Sequence, residues 1–226
     1  MALIKWGMMV VDGRGKLGGH VLTKSRNGAS VRTKVTPTNP QTSYQQANRA
    51  TFGQLSSNWT GLTEAERKAW NEAVQEWQKT NIFGDLKSPA GRDLYISLNR
   101  NILQAGGTEI DVPPTKEGLQ PNAITLVDYD VVNEDITISL VESLKPNEMV
   151  LVYFTKPMSP GRYNFSGAYR FFTAESTNSF KVPFADYEAR YGSLQVGKAI
   201  GVQVAICNKV TGEKSPPMQD RKLFGV

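Results

Sequence analysis

The apolar residues of this chain change their spacing part-way along, and that change constrains the fold more than any other feature. Between residues 38 and 107 they recur every three or four positions, the period of a helix; from residue 122 onward they alternate, the period of a strand. The helical stretch is well punctuated. Asn39-Pro40 offers an N-cap followed by proline at the first helical position. Tyr44, Asn48, Phe52, Leu55 and Trp59 then form one stripe. Thr63 with Glu66 predicts a capping box at the head of a second helix, whose stripe is Trp70, Ala73 or Val74, and Trp77. A third helix is expected after Ser88-Pro89, through Leu94, Tyr95, Leu98 and Ile102, to a stop at Gly106-Gly107. About 70 residues is near the lower limit for a domain that folds alone, so support from a neighbouring subunit is expected.

Seven strands are expected in the last part: Ala123–Asp128, Ile136–Leu140, Met149–Phe154, Ala168–Ala174, Ser179–Phe184, Ile200–Asn208 and Met218–Phe224. The unbroken run Met149-Val-Leu-Val-Tyr-Phe154 reads as a central strand covered on both faces. Seven short strands in about 100 residues is the rhythm of a β-sandwich. Thr108 to Pro121, rich in proline, reads as an extended, semi-rigid linker.

The first 37 residues follow neither period. Residues 1–35 carry seven basic side chains against one acid, Asp12, while the rest of the chain holds 19 basic and 20 acidic ones. The whole positive excess thus sits in a Gly-rich arm, and such a localised field suits an acidic partner surface or a phosphate backbone. Asn27-Gly28 is the strongest hairpin signal here. Pairing across it sets Lys24 opposite Val31 and Thr23 opposite Arg32. An isolated two-stranded ribbon is marginal in water; fully extended, the arm would reach about 110 Å. It is expected to become ordered on a partner, with Arg14, Lys16, Lys24, Arg26, Asn27, Gly28, Arg32 and Lys34 as the docking residues.

Little in the composition points to chemistry. His20 and Cys207 are single residues of their kinds, so one chain cannot assemble a soft-ligand metal cluster or a disulfide framework, and a reducing compartment fits. Cys207 falls on a predicted strand and reads as a buried, inert thiol. Gly13-x-Gly15-x-x-Gly18 matches the dinucleotide fingerprint literally. That chemistry needs a helix N-terminus after the glycines and an acid about twenty residues on. Here β-branched residues follow, then Val31-Arg-Thr-Lys-Val35 with no acid. No catalytic residue, cofactor or metal is therefore expected. No stretch approaches the roughly 18 apolar residues of a membrane span, and residues 1–11 make a poor signal peptide.

Two resemblances add to this. Leu194-Gln-Val-Gly197, Ile200-Gly-Val-Gln-Val-Ala-Ile-Cys-Asn208, Thr211-Gly212 and Ser215-Pro-Pro217 resemble the late strands of a fibronectin type III domain. Val196 and Ile200 stand at the positions of that motif's proline and corner tyrosine. The resemblance implies an Ig/fibronectin III-like fold used for spacing and display, with no ligand named. The basic glycine-rich start, then Arg32-Thr-Lys-Val-Thr-Pro37-Thr-Asn-Pro-Gln-Thr-Ser-Tyr-Gln45, Arg49, Phe52, Trp59, Leu62-Thr63, Arg67 and Trp70, is similar to a layout of virion proteins of tailed bacteriophages, in particular those of Bacteroides-type hosts including crAss-like phages.

That second resemblance implies a subunit made in the host cytoplasm and built into the virion, as a head fibre or capsid decoration protein, with the neck, connector or tail as the other placement. Its partners would be other virion proteins and further copies of itself, with no membrane. A host-surface ligand would meet the sandwich at the loop 157–165, through Tyr163 and Phe165. A nucleic-acid-binding protein gripping phosphates with the arm is the alternative, set back by the absence of interleaved aromatic residues for stacking. The expected architecture is a multidomain α + β chain: an N-terminal extended arm (1–37), a small helical domain (38–107), a linker (108–121) and a C-terminal antiparallel β-sandwich (122–226).

Overall fold

The computed structural model describes residues 2–7, 12–25, 28–119, 122–130 and 132–225. The chain is mixed α and β, with four helices and several antiparallel sheets among the described residues. It divides into two compact units: residues 1–96 with 111–113, and residues 97–110 with 114–226. These limits differ from those expected, because the third helix and the proline-rich stretch are each shared between units.

In the first unit, the segment expected as an extended arm is a folded four-stranded antiparallel sheet. Its strands are β1 (Ala2–Ile4), β2 (Gly15–Leu17), β3 (His20–Ser25) and β4 (Gly28–Thr33), in the order β1-β4-β3-β2. The β3–β4 register is not the one the turn dipeptide predicts: Lys24 faces Ala29 and Thr23 faces Ser30. The two pairings differ by two residues, so every side chain keeps its face while its partner changes. The outer strand β1 fixes β4 from its other side. Val31 pairs with both Leu22 and Ala2, and the hydroxyls of Thr23 and Ser30 meet at 2.9 Å. Gly28, at φ +115°, takes the strand position beside the turn that a side chain would resist.

Helix α1 (Ser43–Gly61) starts three residues after Pro40, where the Thr42 hydroxyl accepts the Gln45 N–H at 3.3 Å. Helix α2 (Glu64–Ala73) has the expected capping box between Thr63 and Glu66. A hairpin follows, β5 (Lys79–Thr80) with β6 (Leu86–Lys87). Leu55, Leu62, Trp70, Val74, Trp77, Leu94, Tyr95 and Ile96 form the buried apolar set of this unit among the described residues. Tyr95 stands between Trp59 and Trp70, at ring separations of 5.5 and 5.4 Å. The Trp70 indole donates to the Asp111 carbonyl at 2.7 Å, which holds part of the expected linker in place.

Helix α3 (Gly91–Gln104) begins in the first unit and ends in the second. All seven expected strands are present in the second unit, within two residues of the expected ends. They are β7 (Ile124–Asp130), β8 (Asp135–Leu140), β9 (Glu148–Phe154), β10 (Arg170–Glu175), β11 (Ser179–Pro183), β12 (Ala199–Asn208) and β13 (Met218–Leu223). They form two antiparallel sheets, β11-β8-β7 and β10-β9-β12-β13, which share one apolar core. Into that core a helix not expected from the sequence, α4 (Phe184–Tyr191), turns Tyr187 and Tyr191. Their hydroxyls donate to the carbonyls of Thr155 at 2.7 Å and Arg170 at 3.0 Å, so neither ring carries an unpaired polar end into the core.

Strand β9 is covered on both faces, as its unbroken apolar run predicts. Val150, Val152 and Phe154 enter the shared core, while Leu151 packs with Cys207 and with Ala105 at the end of α3. The turn after β12 is fitted against the second half of α3: Asn101 donates to the Gly212 carbonyl at 2.9 Å. A Cβ on Gly212, already at φ +70°, would lie 2.5 Å from the Leu98 carbonyl oxygen. Two substitutions check this account by equilibrium unfolding. Gly212→Ala is expected to cost about 3 kcal/mol, combining backbone strain with a backbone collision. Tyr187→Phe is expected to cost about 1.5 kcal/mol, one buried hydrogen bond.

Candidate docking surface

Alternation along the strands sorts the cations of the N-terminal sheet onto two faces. Lys16 pairs across Val21 with Arg32, so these two share a face with Thr23 and Ser30, two strands and about 10 Å apart. Lys24 and His20 lie on the opposite face with the half-buried Ile4, Leu22 and Val31. Lys24 is tied to Asp12 at 3.3 Å, with Arg14 at 4.0 Å from the same carboxylate. The Gly13 N–H first, and then Lys24, hold that carboxyl below its ordinary range. Lys34 follows β4 and donates its backbone N–H to the Gly19 carbonyl at 2.8 Å.

Arg14, Lys16, Lys24, Arg32 and Lys34 are thus brought into one small sheet but not onto one face. Gly28 holds the strand start, and Arg26 and Asn27 lie outside the described residues. Strand alternation divides the expected docking residues between the two faces. What the sequence reading missed is wider. From Gly13 to Thr63 the chain contains seven Lys and Arg and no Asp or Glu, so the acid-free stretch runs through β2, β3, β4 and α1.

The same unit leaves several large apolar side chains in solvent. Tyr44 and Phe52, two members of the expected stripe of α1, are 41% and 55% exposed. At the tip of the β5–β6 hairpin, Ile82 and Phe83 are exposed beside Leu86. That tip is well built: the Asn81 carboxamide accepts the N–H of Phe83 at 2.9 Å and of Asp85 at 3.0 Å. Lys5 reaches Asp85 at 3.1 Å and lies over the Phe83 ring, and a cleft of about 380 Å³ opens among Ile4, Lys5, Trp6, Lys24 and Phe83.

The glycine fingerprint opens a β-hairpin rather than a helix: Gly15 lies in β2 and Gly18, at φ +55°, makes the turn into β3. Gly13 serves close approach instead, since a Cβ there would lie 2.7 Å from the Trp6 ring.

In the second unit, the two residues expected to recognise a ligand part company. Phe165 is buried, its ring seated over Gly201, whose missing Cβ leaves the space. Tyr163 is 78% exposed, with the Arg221 guanidinium 4.5 Å from its ring centre. Arg221 also donates to the Arg162 carbonyl at 3.1 Å, so the loop is pinned to β13. Only Tyr163 remains a surface group.

Two titratable groups of this unit are turned to the interior. Lys214 donates to the Tyr153 hydroxyl at 2.6 Å and lies over that ring, and burial lowers its pKa. The Cys207 thiol lies 3.6 Å from the Asn101 carbonyl, its acceptor, and burial pushes its pKa up to about 12. Among the described residues no three His, Cys, Asp or Glu side chains group so as to hold a metal ion, and no helix is long and apolar enough to cross a membrane.

Comparison with protein families, curated proteins and solved structures finds no match to this chain.

The state of Cys207 is checkable by labelling with a disulfide reagent. At pH 8 the folded protein is expected to react at least a hundredfold more slowly than the urea-unfolded chain. The raised pKa also has a sign for stability. Below the unfolded thiol's ordinary value of 9.0 the contribution of the neutral group is fully present, and it is lost as pH climbs from there towards about 12. Cys207→Ala should flatten that part of an unfolding-against-pH curve.

Proposed function

We propose that this chain is a structural subunit of a tailed-bacteriophage virion, a head fibre or capsid decoration protein, anchored by its first unit and displaying its second. The observation that carries this reading is the acid-free, cation-bearing stretch from Gly13 to Thr63, with Lys16 and Arg32 exposed and free of ion pairs among the described residues. Such a stretch suits attachment to an acidic partner.

The second unit supports the display half of the reading. Its two sheets, of three and four antiparallel strands around one core, accord with a sandwich of the fibronectin type III kind. The fourth strand, β10, pairs with the third rather than with the fifth. A scaffold of this kind presents loops rather than chemistry, and Tyr163 beside Arg221 is the group its 157–165 loop offers to a host surface. Neck, connector or tail are the other virion positions this anchoring would serve.

Particle incorporation tests the reading. The triple variant K16E/R32E/K34E alters exposed side chains, so its unfolding midpoint is expected to match that of the parent within about 0.5 kcal/mol. Its copy number in purified particles is expected to fall at least tenfold, and normal incorporation would overturn the anchor. Binding of the parent to duplex DNA at 50 mM salt, lost steeply by 200 mM, would favour a phosphate-gripping protein instead.

A further inference from the structure

The first half of α1 is only lightly covered by its own chain. From Ser43 to Gln54 no residue is fully buried and Gln45, Asn48 and Thr51 are half-buried, whereas Leu55 is fully buried and marks where the helix enters the core of its unit. Tyr44, Asn48 and Phe52 recur every four residues on one strip, with the two aromatic rings about 12 Å apart along the axis. Arg49, three residues before Phe52, lies on the neighbouring strip.

Composition carries this half-helix only part of the way. Ser43, Tyr44, Asn48, Thr51, Phe52 and Gly53 are not strong helix formers, while Gln45, Gln46, Ala47, Arg49, Ala50 and Gln54 are. A helix of about twelve such residues is marginal in water unless something packs on it. No acid in the first turn offsets the positive end of the helix.

We propose that the first half of α1 is a docking element for an acidic protein surface: Tyr44 and Phe52 enter an apolar groove whose rim carries carboxylates, and Arg49 meets that rim. Charge complementarity selects this occupant. A second copy meeting it through the same half-helix would set Arg49 against Arg49, with no carboxylate between Ser43 and Gln54 to receive either. A nucleic acid calls for several cations along the helix that reads it, and α1 holds Arg49 alone between Ser43 and Gly61. Aromatic anchors with arginine at a polar rim are the anatomy of a protein interface. The inference rests on the reading of the first unit as the anchoring end, and adds to the sheet's cations a second, largely apolar contact.

The test uses the whole chain and a defined probe, a 20-residue amphipathic peptide with a leucine stripe and glutamates elsewhere, beside its lysine counterpart. The parent protein is expected to bind the glutamate peptide and not the lysine one. Y44A/F52A is expected to weaken binding at least tenfold with an unchanged unfolding midpoint, since both side chains are exposed. Absence of binding by the parent, equal binding by the variant, or equal binding of the lysine peptide would overturn the proposal. So would tighter binding of a duplex DNA of the same concentration, or a concentration-dependent dimer in sedimentation that Y44A/F52A abolishes. The two readings fail separately. Normal particle incorporation of K16E/R32E/K34E with peptide binding retained removes the sheet as anchor and leaves α1 standing; the reverse pattern removes α1 alone.

Discussion

Strand β9 must be covered on both faces, and the arrangement of the second unit follows from that requirement. Its inward side chains, Val150, Val152 and Phe154, fill the core shared by two sheets, but Leu151 points the other way. An exposed leucine in the middle of a sheet would leave the paired strand β12 with Cys207 open as well. The end of α3 supplies the cover through Ala105, a residue small enough to let helix and sheet approach. Close approach explains the neighbouring glycines. A Cβ on Gly107 would lie 2.3 Å from the Lys209 carbonyl oxygen, and Asn101 and Asn208 serve as the polar ties of the same corner. The second half of α3 therefore belongs with the strands, which is why a boundary placed at the change of period lies about ten residues late.

Period was a good guide wherever burial is one-sided and local. It located the seven strands, the Leu94, Tyr95, Leu98 and Ile102 stripe of α3, and the capping box of α2, each of which depends on residues a few positions apart. It failed where distant segments decide. The β3–β4 register is set by β1, since Val31 pairs with Ala2 across nearly the whole N-terminal segment, and a turn dipeptide carries no trace of that. Helix α4 is eight residues long and follows directly on β11, so its Phe184, Tyr187 and Tyr191 spacing was hidden at the end of an alternating run. In α1 the stripe was read correctly as a stripe; periodicity names the face of a helix that seeks cover and says nothing of what covers it.

The two units use their polar groups in opposite ways. In the second, Tyr187, Tyr191, Lys214 and Cys207 are spent on carbonyls, rings and hydroxyls of the same unit, and burial drives the pKa of Lys214 down and those of Cys207 and Tyr187 up, in each case towards the neutral form. Groups held that way stabilise a scaffold and are poorly placed to meet a substrate. In the first unit Lys16, Arg32 and Lys34 are exposed, and the exposed rings of α1 lie in the same acid-free stretch of chain.

Folding the N-terminal segment into a sheet changes what kind of docking it can do. An extended arm could thread along a partner for about 110 Å, but ordering 35 residues on contact would consume on the order of 1 kcal/mol per residue of the binding energy. The sheet has met that cost within its own unit, through the Val31 pairings on both sides, Trp6 laid on Gly13, and Lys5 joined to Asp85. Its strands are three to six residues long, so it reaches about 10 to 20 Å. A contact made by such an element is short-ranged and largely pre-organised, and it can be tight with a small area. In the proposed attachment the two elements divide the work: a small basic sheet would supply attraction and orientation, and the half-exposed rings of Tyr44 and Phe52 would supply the apolar burial that charge alone does not provide.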